Sequence, residues 1–246
     1  MYNPIFEMVI TADDSAEIRV WDLNTGAVIF CFSRAHVSAK GESVKVSAMT
    51  FDLTLRRLIT GAHDGSAKIW NFSTGQCLGV LDGFGEGEIS SMTSMTIKPY
   101  NYIVACGWNK KVTFWLDAHS HHARRGFSHG ADTKGTYPTF LPSSHFNGHR
   151  DDILSMACHR ETSLLVTGSF DGDIIIWKVE SGTVRTRLIL PGILSMQGDQ
   201  KPIEQIMTID CGVLAEAADT DLEASSLVLI ATIGGDEFIR IWSSDS

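Results

Sequence analysis

The chain has 246 residues, of which 43% are hydrophobic and 20% are charged, a balance typical of folded proteins rather than disordered ones. Its formal net charge of −9 makes general binding to nucleic acid unlikely on electrostatic grounds. No apolar run reaches the roughly 18 residues of a membrane span, and Met1–Met8 lacks the basic and apolar regions of a signal peptide. We therefore expect a cytoplasmic protein with no membrane partner.

The cysteines predict a reducing compartment. Their number is odd and no two form a C-x-x-C pair, which favours free buried thiols over disulfides or a zinc site. The five are Cys31, Cys77, Cys106, Cys158 and Cys211.

Five tryptophans each close a short β-branched run, and they define a repeat. They are Trp21, Trp70, Trp115, Trp177 and Trp242, separated by 49, 45, 62 and 65 residues. A period of about 40–45 residues is typical of a four-stranded propeller blade. In chain order the predicted blades cover about 5–32, 44–82, 88–147 with an insertion at 116–147, 148–190 and 203–246.

The blade at 44–82 illustrates the pattern. The segments VKVSAMTF, RRLITGA, SAKIW and QCLGVL are separated by turn residues, which predicts four antiparallel strands. A single blade leaves both faces of its sheet in water, and stacking blades around an axis buries them. The fold class predicted is therefore all-β, a β-propeller.

At these residues the chain resembles the WD-repeat family, whose blades run from a Gly-His pair to a Trp-Asp pair. Gly148-His149 and Trp21-Asp22 are full matches. The resemblance implies a non-catalytic scaffold that binds proteins or peptides, with no cofactor and no metal.

The resemblance also implies hydrogen-bonded tetrads inside individual blades, in which the Asp orients the imidazole. The matching residues are His36, Thr60, Asp64 and Trp70 in the second blade, and His149, Thr167, Asp171 and Trp177 in the fourth. The other blades lack at least one member, and we expect them to be looser. A hydrolase based on such a set is disfavoured, because the hydroxyl is expected to be buried.

The phrases YNPIFEMVITADDSAEIRVWDLNTG, MTFDLTLRRLITGAHDGSAKIWN and YIVACGWNKKVTFW are similar to the WD-repeat proteins of cilia and flagella that carry EF-hands ahead of two propellers. This resemblance implies an axonemal scaffold. The alternatives are a general cytoplasmic adaptor unrelated to cilia and a propeller hydrolase with a channel metal. The second alternative needs several acidic or His ligands on the inner strands, which are instead rich in Ser, Thr and Met.

The strand count predicts part of a larger ring. Met1–Phe6 looks too short for a strand and its turn, and only four residues follow Trp242. We expect five blades of a larger, seven-bladed propeller, completed by the rest of a parent chain or by another subunit. A closed five-bladed ring is the alternative.

The residue seven positions before each tryptophan is predicted to lie at the tip of a turn on the top face. These residues are Asp14, His63, Trp108, Phe170 and Gly235. Exposed rings suit protein recognition, although the same rings could simply pack on neighbouring loops. Arg34, Arg150 and Lys110 are expected to border this partner-binding surface. The His-rich insertion at 116–147 is expected to be a solvated loop rather than a metal site.

Overall fold

The computed structural model describes residues 1–117, 148–159, 162–189, 201–210 and 228–243. Every regular element in these ranges is a β-strand, and the strands form five antiparallel sheets. The same ranges contain no helix that could cross a membrane. The chain divides into two compact units, Met1–His145 and Phe146–Ser246, and the single propeller segment predicted over 1–246 stays a prediction.

The first unit contains three sheets, and each is an antiparallel meander of strands that follow one another in the chain. The first sheet is β1 (Tyr2–Asn3), β2 (Met8–Ala12), β3 (Ile18–Asp22) and β4 (Val28–Phe32); the second is β5 (Val46–Phe51), β6 (Leu58–Ala62), β7 (Ala67–Asn71) and β8 (Gln76–Leu81); the third is β9 (Ile89–Ile97), β10 (Tyr100–Gly107) and β11 (Val112–Leu116).

The second unit repeats this plan in two sheets. One is β12 (Ile153–His159), β13 (Leu164–Ser169), β14 (Asp173–Lys178) and β15 (Thr183–Ile189); the other is β16 (Ile203–Asp210), β17 (Val228–Gly234) and β18 (Ile239–Ser243). The all-β blade architecture expected from the sequence is confirmed. Residues 118–147 of the predicted insertion at 116–147 lie outside the described residues.

The N-terminal strand corrects the sequence analysis. Tyr2 and Asn3 pair with Val9 and Met8 as a two-residue strand, although this segment looked too short. The buried Asn3 side chain explains how so short a segment is held: its Nδ2 donates to the Leu55 carbonyl at 2.7 Å. Its Oδ1 accepts backbone N–H groups from the following turn. A side chain thus replaces the ladder hydrogen bonds that a longer strand would make.

Neighbouring sheets within a unit pack through a glycine and an isoleucine. An ideal Cβ at Gly61 would lie 2.6 Å from Ile89 Cγ2, and one at Gly168 would lie 2.4 Å from Ile203 Cγ2. Ile89 and Ile203 are the first residues of β9 and β16, and both are buried. The glycines therefore let the next inner strand approach the sheet closely.

A hydrogen bond from a hydroxyl group occurs at the same place between the sheets of both pairs. Ser94 on β9 donates to the Phe51 carbonyl at 2.8 Å, and Thr208 on β16 donates to the Cys158 carbonyl at 3.2 Å. Both donors lie five residues beyond the isoleucine that packs on the glycine. Equivalent positions thus make equivalent contacts in both units, which is the behaviour of a structural repeat.

The cysteines only partly match the expectation of buried thiols. None of the four described cysteines forms a disulfide, but only Cys106 is buried, and burial raises the pKa of its thiol to about 12. Cys31 and Cys77 are exposed because they lie on β4 and β8, the outermost strands of their sheets. An apolar run in the sequence does not distinguish an outer strand from an inner one.

Candidate functional site

The second sheet holds a connected set of polar side chains around Trp70. The Trp70 indole Nε1 donates to Thr60 Oγ1 at 2.8 Å, and the same oxygen lies 2.7 Å from His36 Nε2. The other imidazole nitrogen, Nδ1, lies 2.6 Å from Ser66 Oγ. Asp64, predicted to orient this imidazole, instead accepts hydrogen bonds from the side chain and backbone of Ser66.

These contacts fit a single chain of donors. The indole N–H donates to Thr60, the Thr60 hydroxyl donates to His36 Nε2, the Nδ1–H donates to Ser66, and Ser66 donates to Asp64. Each hydroxyl then donates once and accepts once, as its chemistry allows. This direction requires a neutral imidazole, and burial lowers the pKa of His36 to about 4. The network is therefore complete at neutral pH.

The fourth sheet, formed by β12–β15, repeats only half of this arrangement. Trp177 Nε1 donates to Thr167 Oγ1 at 2.8 Å, and His149 Nε2 lies 2.6 Å from the same oxygen. His149 Nδ1 has no hydrogen-bond partner among the residues that the structure describes. Asp171 accepts from Ser169 and makes no hydrogen bond to the imidazole. Burial lowers the pKa of His149 to about 4.

A cation supports the backbone beside each of these histidines. Lys68 Nζ on β7 donates to the Ala35 carbonyl at 2.8 Å. Arg187 Nη2 on β15 donates to the Gly148 carbonyl at 3.2 Å. Ala35 and Gly148 directly precede the two histidines. The same contact is thus made from two different strands, which a sequence motif cannot reveal.

The other sheets keep the tryptophan anchored in simpler ways. Trp21 Nε1 donates to Thr11 Oγ1 at 2.9 Å, and Trp242 Nε1 donates to Thr232 Oγ1 at 3.1 Å. In the third sheet Trp115 Nε1 donates to the Asp82 carbonyl at 2.7 Å. Phe84 stacks on the Trp115 indole, with ring centroids 6.5 Å apart.

The hydrogen bonds that join tryptophan, threonine and histidine in the second and fourth sheets have a structural role. The Thr60 and Thr167 hydroxyls are each engaged by an indole and an imidazole, and both residues are 0% exposed. A nucleophile must reach a substrate atom, and a fully buried hydroxyl offers no such approach. The arrangement instead fixes the turn between two strands against the loop that enters the sheet.

Four of the five turn-tip residues predicted as a recognition surface are equivalent in the structure; the fifth, Asp14, instead forms an ion pair with Lys45 at 3.1 Å. The backbone N–H groups of the four each donate to the carbonyl of the residue just before the inner strand of their own sheet. The pairs are His63 with Lys45, Trp108 with Glu88, Phe170 with Asp152 and Gly235 with Pro202, at 2.8–3.0 Å. This shared bond places each tip at the same corner of its sheet.

In the first unit two of these tips touch. The His63 and Trp108 rings meet edge to face, with centroids 5.5 Å apart, and His63 Nδ1 lies 2.7 Å from Glu88 Oε2. Trp108 is 45% exposed despite this contact. Lys110 is exposed in the same turn, with a φ of 64°. Glu88 was not predicted from the sequence as part of this surface. Its position directly before β9, the inner strand, could have indicated it.

The remaining predicted surface residues are Arg34 in the first unit and Phe170 and Arg150 in the second. Arg34 is exposed and donates to the Gly41 carbonyl at 2.7 Å, within its own loop. In the second unit Phe170 is 43% exposed and Arg150 is also exposed. The partner-binding role of all these residues stays a prediction.

Comparisons with known proteins identify the repeat. The family described as "WD domain, G-beta repeat" matches residues 32–71 and 140–178. The WD repeat-containing protein on Y chromosome of Drosophila ananassae is 30% identical over 185 residues, covering 74% of this chain and 15% of that protein. Its Anopheles gambiae counterpart is 27% identical over 186 residues, covering 74% and 16%. The chain therefore spans only about 15% of the length of these curated relatives.

A solved structure supports the fold alone. The crystal structure of the computationally designed Ika8 protein is 19% identical, with a TM-score of 0.57, over 96% of this chain and 55% of that one. WD repeats are typical of non-enzymatic proteins that bind other proteins. With its matched repeats and its meandering four- and three-stranded sheets, the chain belongs to the WD-repeat family of β-propeller proteins.

Proposed function

We propose that this chain is a non-catalytic interaction scaffold that binds a protein or peptide through the aromatic corner, formed by His63, Glu88, Trp108 and Lys110. The observation that carries the proposal is the exposed Trp108 indole, which His63 contacts edge to face. Glu88 fixes His63 in turn. A ring ordered before binding loses little entropy when a partner covers it.

The chemistry of the corner indicates the kind of partner. An indole buries a large apolar area and offers one N–H donor, while Lys110 and Glu88 provide opposite charges beside it. Such a combination of a central ring and a charged border is typical of interaction hot spots. We expect the partner to present an apolar side chain flanked by polar groups.

The test compares Trp108→Ala with a matched control, Phe238→Ala, which removes an exposed ring from the second unit. Proteins recovered with the tagged chain from its native cells are quantified by mass spectrometry. The specific partner should be lost from Trp108→Ala and kept by the wild type and the control, with melting temperatures unchanged. Equal recovery from all three would contradict the role of the corner.

The axoneme is the proposed location of the whole protein. Its support is the similarity of three sequence segments to WD-repeat proteins of cilia and flagella. Imaging of the full-length tagged protein in ciliated cells tests it, with axonemal tubulin as the reference. A uniform cytoplasmic distribution would favour the general adaptor instead.

A further blade is the second proposed partner, because β16–β18 leave an apolar face open. Ile239 and Ile241 are 69% and 64% exposed. The equivalent residues, three and one positions before the tryptophan, are Ala67 and Ile69 in the second sheet and Ile174 and Ile176 in the fourth, and all are 0% exposed. A neighbouring sheet covers those positions within each unit.

We expect the covering blade to come from the rest of a longer polypeptide or from another subunit. An Ile239→Lys/Ile241→Lys variant should lose self-association, seen by light scattering, and binding of a hydrophobic dye, without a lower melting temperature. Arg240→Lys, on the opposite side of the same strand, is the control. A wild-type chain that stays monomeric and binds no dye would contradict the proposal.

A further inference from the structure

The fourth sheet brings three metal-ligating side chains together outside the aromatic corner. A ring nitrogen of His149 and one carboxylate oxygen from each of Asp171 and Asp173 all lie within 4.8 Å of one another. His149 is only 7% exposed. Its Nδ1 is the free nitrogen, since it has no hydrogen-bond partner in the described part of the chain and Nε2 is held by Thr167.

The second sheet shows what this nitrogen lacks. Ser66 lies four residues before Trp70, and its hydroxyl satisfies His36 Nδ1 at 2.6 Å. The residue at the same place in the fourth sheet is Asp173, four residues before Trp177. Two changes separate the closed hydrogen-bond chain from an imidazole facing two acids: Ser66 is replaced by Asp173, and Ala62 is replaced by Ser169, which donates to Asp171.

Two arginines lie beside the two acids of the cluster. Asp173 forms an ion pair with Arg187, and Asp171 accepts from the Ser169 hydroxyl. Arg150 adds a further positive charge near Asp173. One carboxylate oxygen of each acid lies within 4.8 Å of the other, and a cation bound between them would reduce their mutual repulsion.

We propose that His149 Nδ1 and the carboxylates of Asp171 and Asp173 bind a divalent transition-metal ion of the zinc type. One imidazole nitrogen and two carboxylate oxygens suit Zn²⁺, whereas Ca²⁺ and Mg²⁺ prefer oxygen ligands alone. A neutral His149 that donates from Nε2 to Thr167 carries its lone pair on Nδ1, as a ligand must. This site departs from the sequence-based expectation of no metal.

Arg187 can release Asp173 to a metal ion without losing its other partner. Arg187 already donates to the Gly148 carbonyl at 3.2 Å, so it keeps a partner when Asp173 turns to the metal. Bound there, the ion links the turn between β13 and β14 to the segment entering β12. Its role is therefore structural, because it adds a link between two segments that the bond from the Phe170 N–H to the Asp152 carbonyl already connects.

The test titrates Zn²⁺ into the whole chain by calorimetry and by thermal denaturation. Asp173→Ser rebuilds the arrangement of Ser66 and is expected to fold, because its hydroxyl can satisfy Nδ1. The wild type should bind one more equivalent of Zn²⁺ than this variant and gain a higher melting temperature from it. Glu204→Gln, which removes an exposed acid of the same unit, should behave as the wild type.

The histidines of the insertion are present in every variant, so any Zn²⁺ that they bind contributes equally to each stoichiometry and cancels when the variants are compared. Asp173→Asn, which keeps the shape and removes the charge, replaces Asp173→Ser if circular dichroism shows that the serine variant is unfolded. Equal stoichiometry and equal thermal shifts in the wild type and the folded variant would overturn the proposal.

Discussion

Ser66 and Asp173 occupy the same place in two sheets, yet they act on the neighbouring imidazole in opposite ways. Ser66 Oγ lies 2.6 Å from His36 Nδ1, whereas Asp173 pairs with Arg187. Within the described ranges, His149 Nδ1 is left without a hydrogen-bond partner. The two blades therefore share a tryptophan, a threonine and a histidine but differ in how the polar chain ends.

Removing the end of the complete chain should destabilise the second sheet. Ser66→Ala leaves the buried Nδ1 of His36 without a partner, and an unsatisfied buried polar group costs about 1–3 kcal/mol. The free energy of unfolding is measured by urea denaturation. Ser73→Ala, in an exposed turn, serves as the control; equal stability of both variants would show that Ser66 is dispensable.

The two buried histidines predict a loss of stability in acid. Burial lowers the pKa of His36 and of His149 from 6.5 to about 4. The unfolded chain takes up these protons near pH 6.5, and the folded chain takes them up only near pH 4. Their contribution is therefore complete above pH 6.5 and is lost as the pH falls to about 4, by about 3 kcal/mol for each histidine.

This loss is measured as the free energy of unfolding across that pH range. His36→Gln should flatten the slope, because one of the two titrating groups is gone. His149→Gln should flatten the slope to a similar degree, because it removes the other group whose pKa burial lowers. A wild-type stability that does not change between pH 6.5 and 4 would contradict the prediction.

A side chain added at the glycine between two sheets should destabilise the protein, and shortening the isoleucine opposite should restore part of the stability. Gly168→Ala places a methyl group 2.4 Å from Ile203 Cγ2, and such overpacking costs about 1–3 kcal/mol. Ile203→Ala removes the nearest obstructing atom, Cγ2, while Ile203 Cβ at 2.7 Å and Ile206 Cδ1 at 2.9 Å remain, so the rescue should be partial. The double variant should be more stable than the sum of the single effects, measured by a double-mutant cycle; strict additivity would mean that the two residues do not meet.

Breaking a buried ion-pair cluster should cause the largest loss of stability among these variants. Arg57 Nη2 lies 3.0 Å from Asp52 Oδ2 and 2.6 Å from Asp117 Oδ2, and both acids are buried. These two acids raise the pKa of the Arg57 guanidinium, although burial opposes that shift. Arg57→Met leaves two carboxylates buried together, at a cost of about 3–5 kcal/mol.

The neighbouring arginine supplies the control for this cluster. Arg56 is exposed, and only its backbone N–H contacts Asp52. Arg56→Met should therefore leave the chemical denaturation midpoint within experimental error of the wild type. Similar denaturation midpoints for Arg56→Met and Arg57→Met would show that the ion-pair cluster does not contribute to stability.

Local regularities in the sequence determined the strands and the tryptophan anchors. Thr11 with Trp21, Thr60 with Trp70, Thr167 with Trp177 and Thr232 with Trp242 are each ten residues apart and hydrogen-bonded. A tight turn fixes the register of the two strands it joins. A short spacing in the sequence therefore fixes the distance in space, and the sequence by itself specifies these pairs.

Only the tertiary structure decided which side chains end each network. Ser66 reaches His36 across 30 residues, Arg57 reaches Asp117 across 60, and Trp115 takes the Asp82 carbonyl where no threonine is available. These contacts depend on how sheets stack and where long loops return. Such geometry is set by packing between distant segments, and no spacing along the chain encodes it.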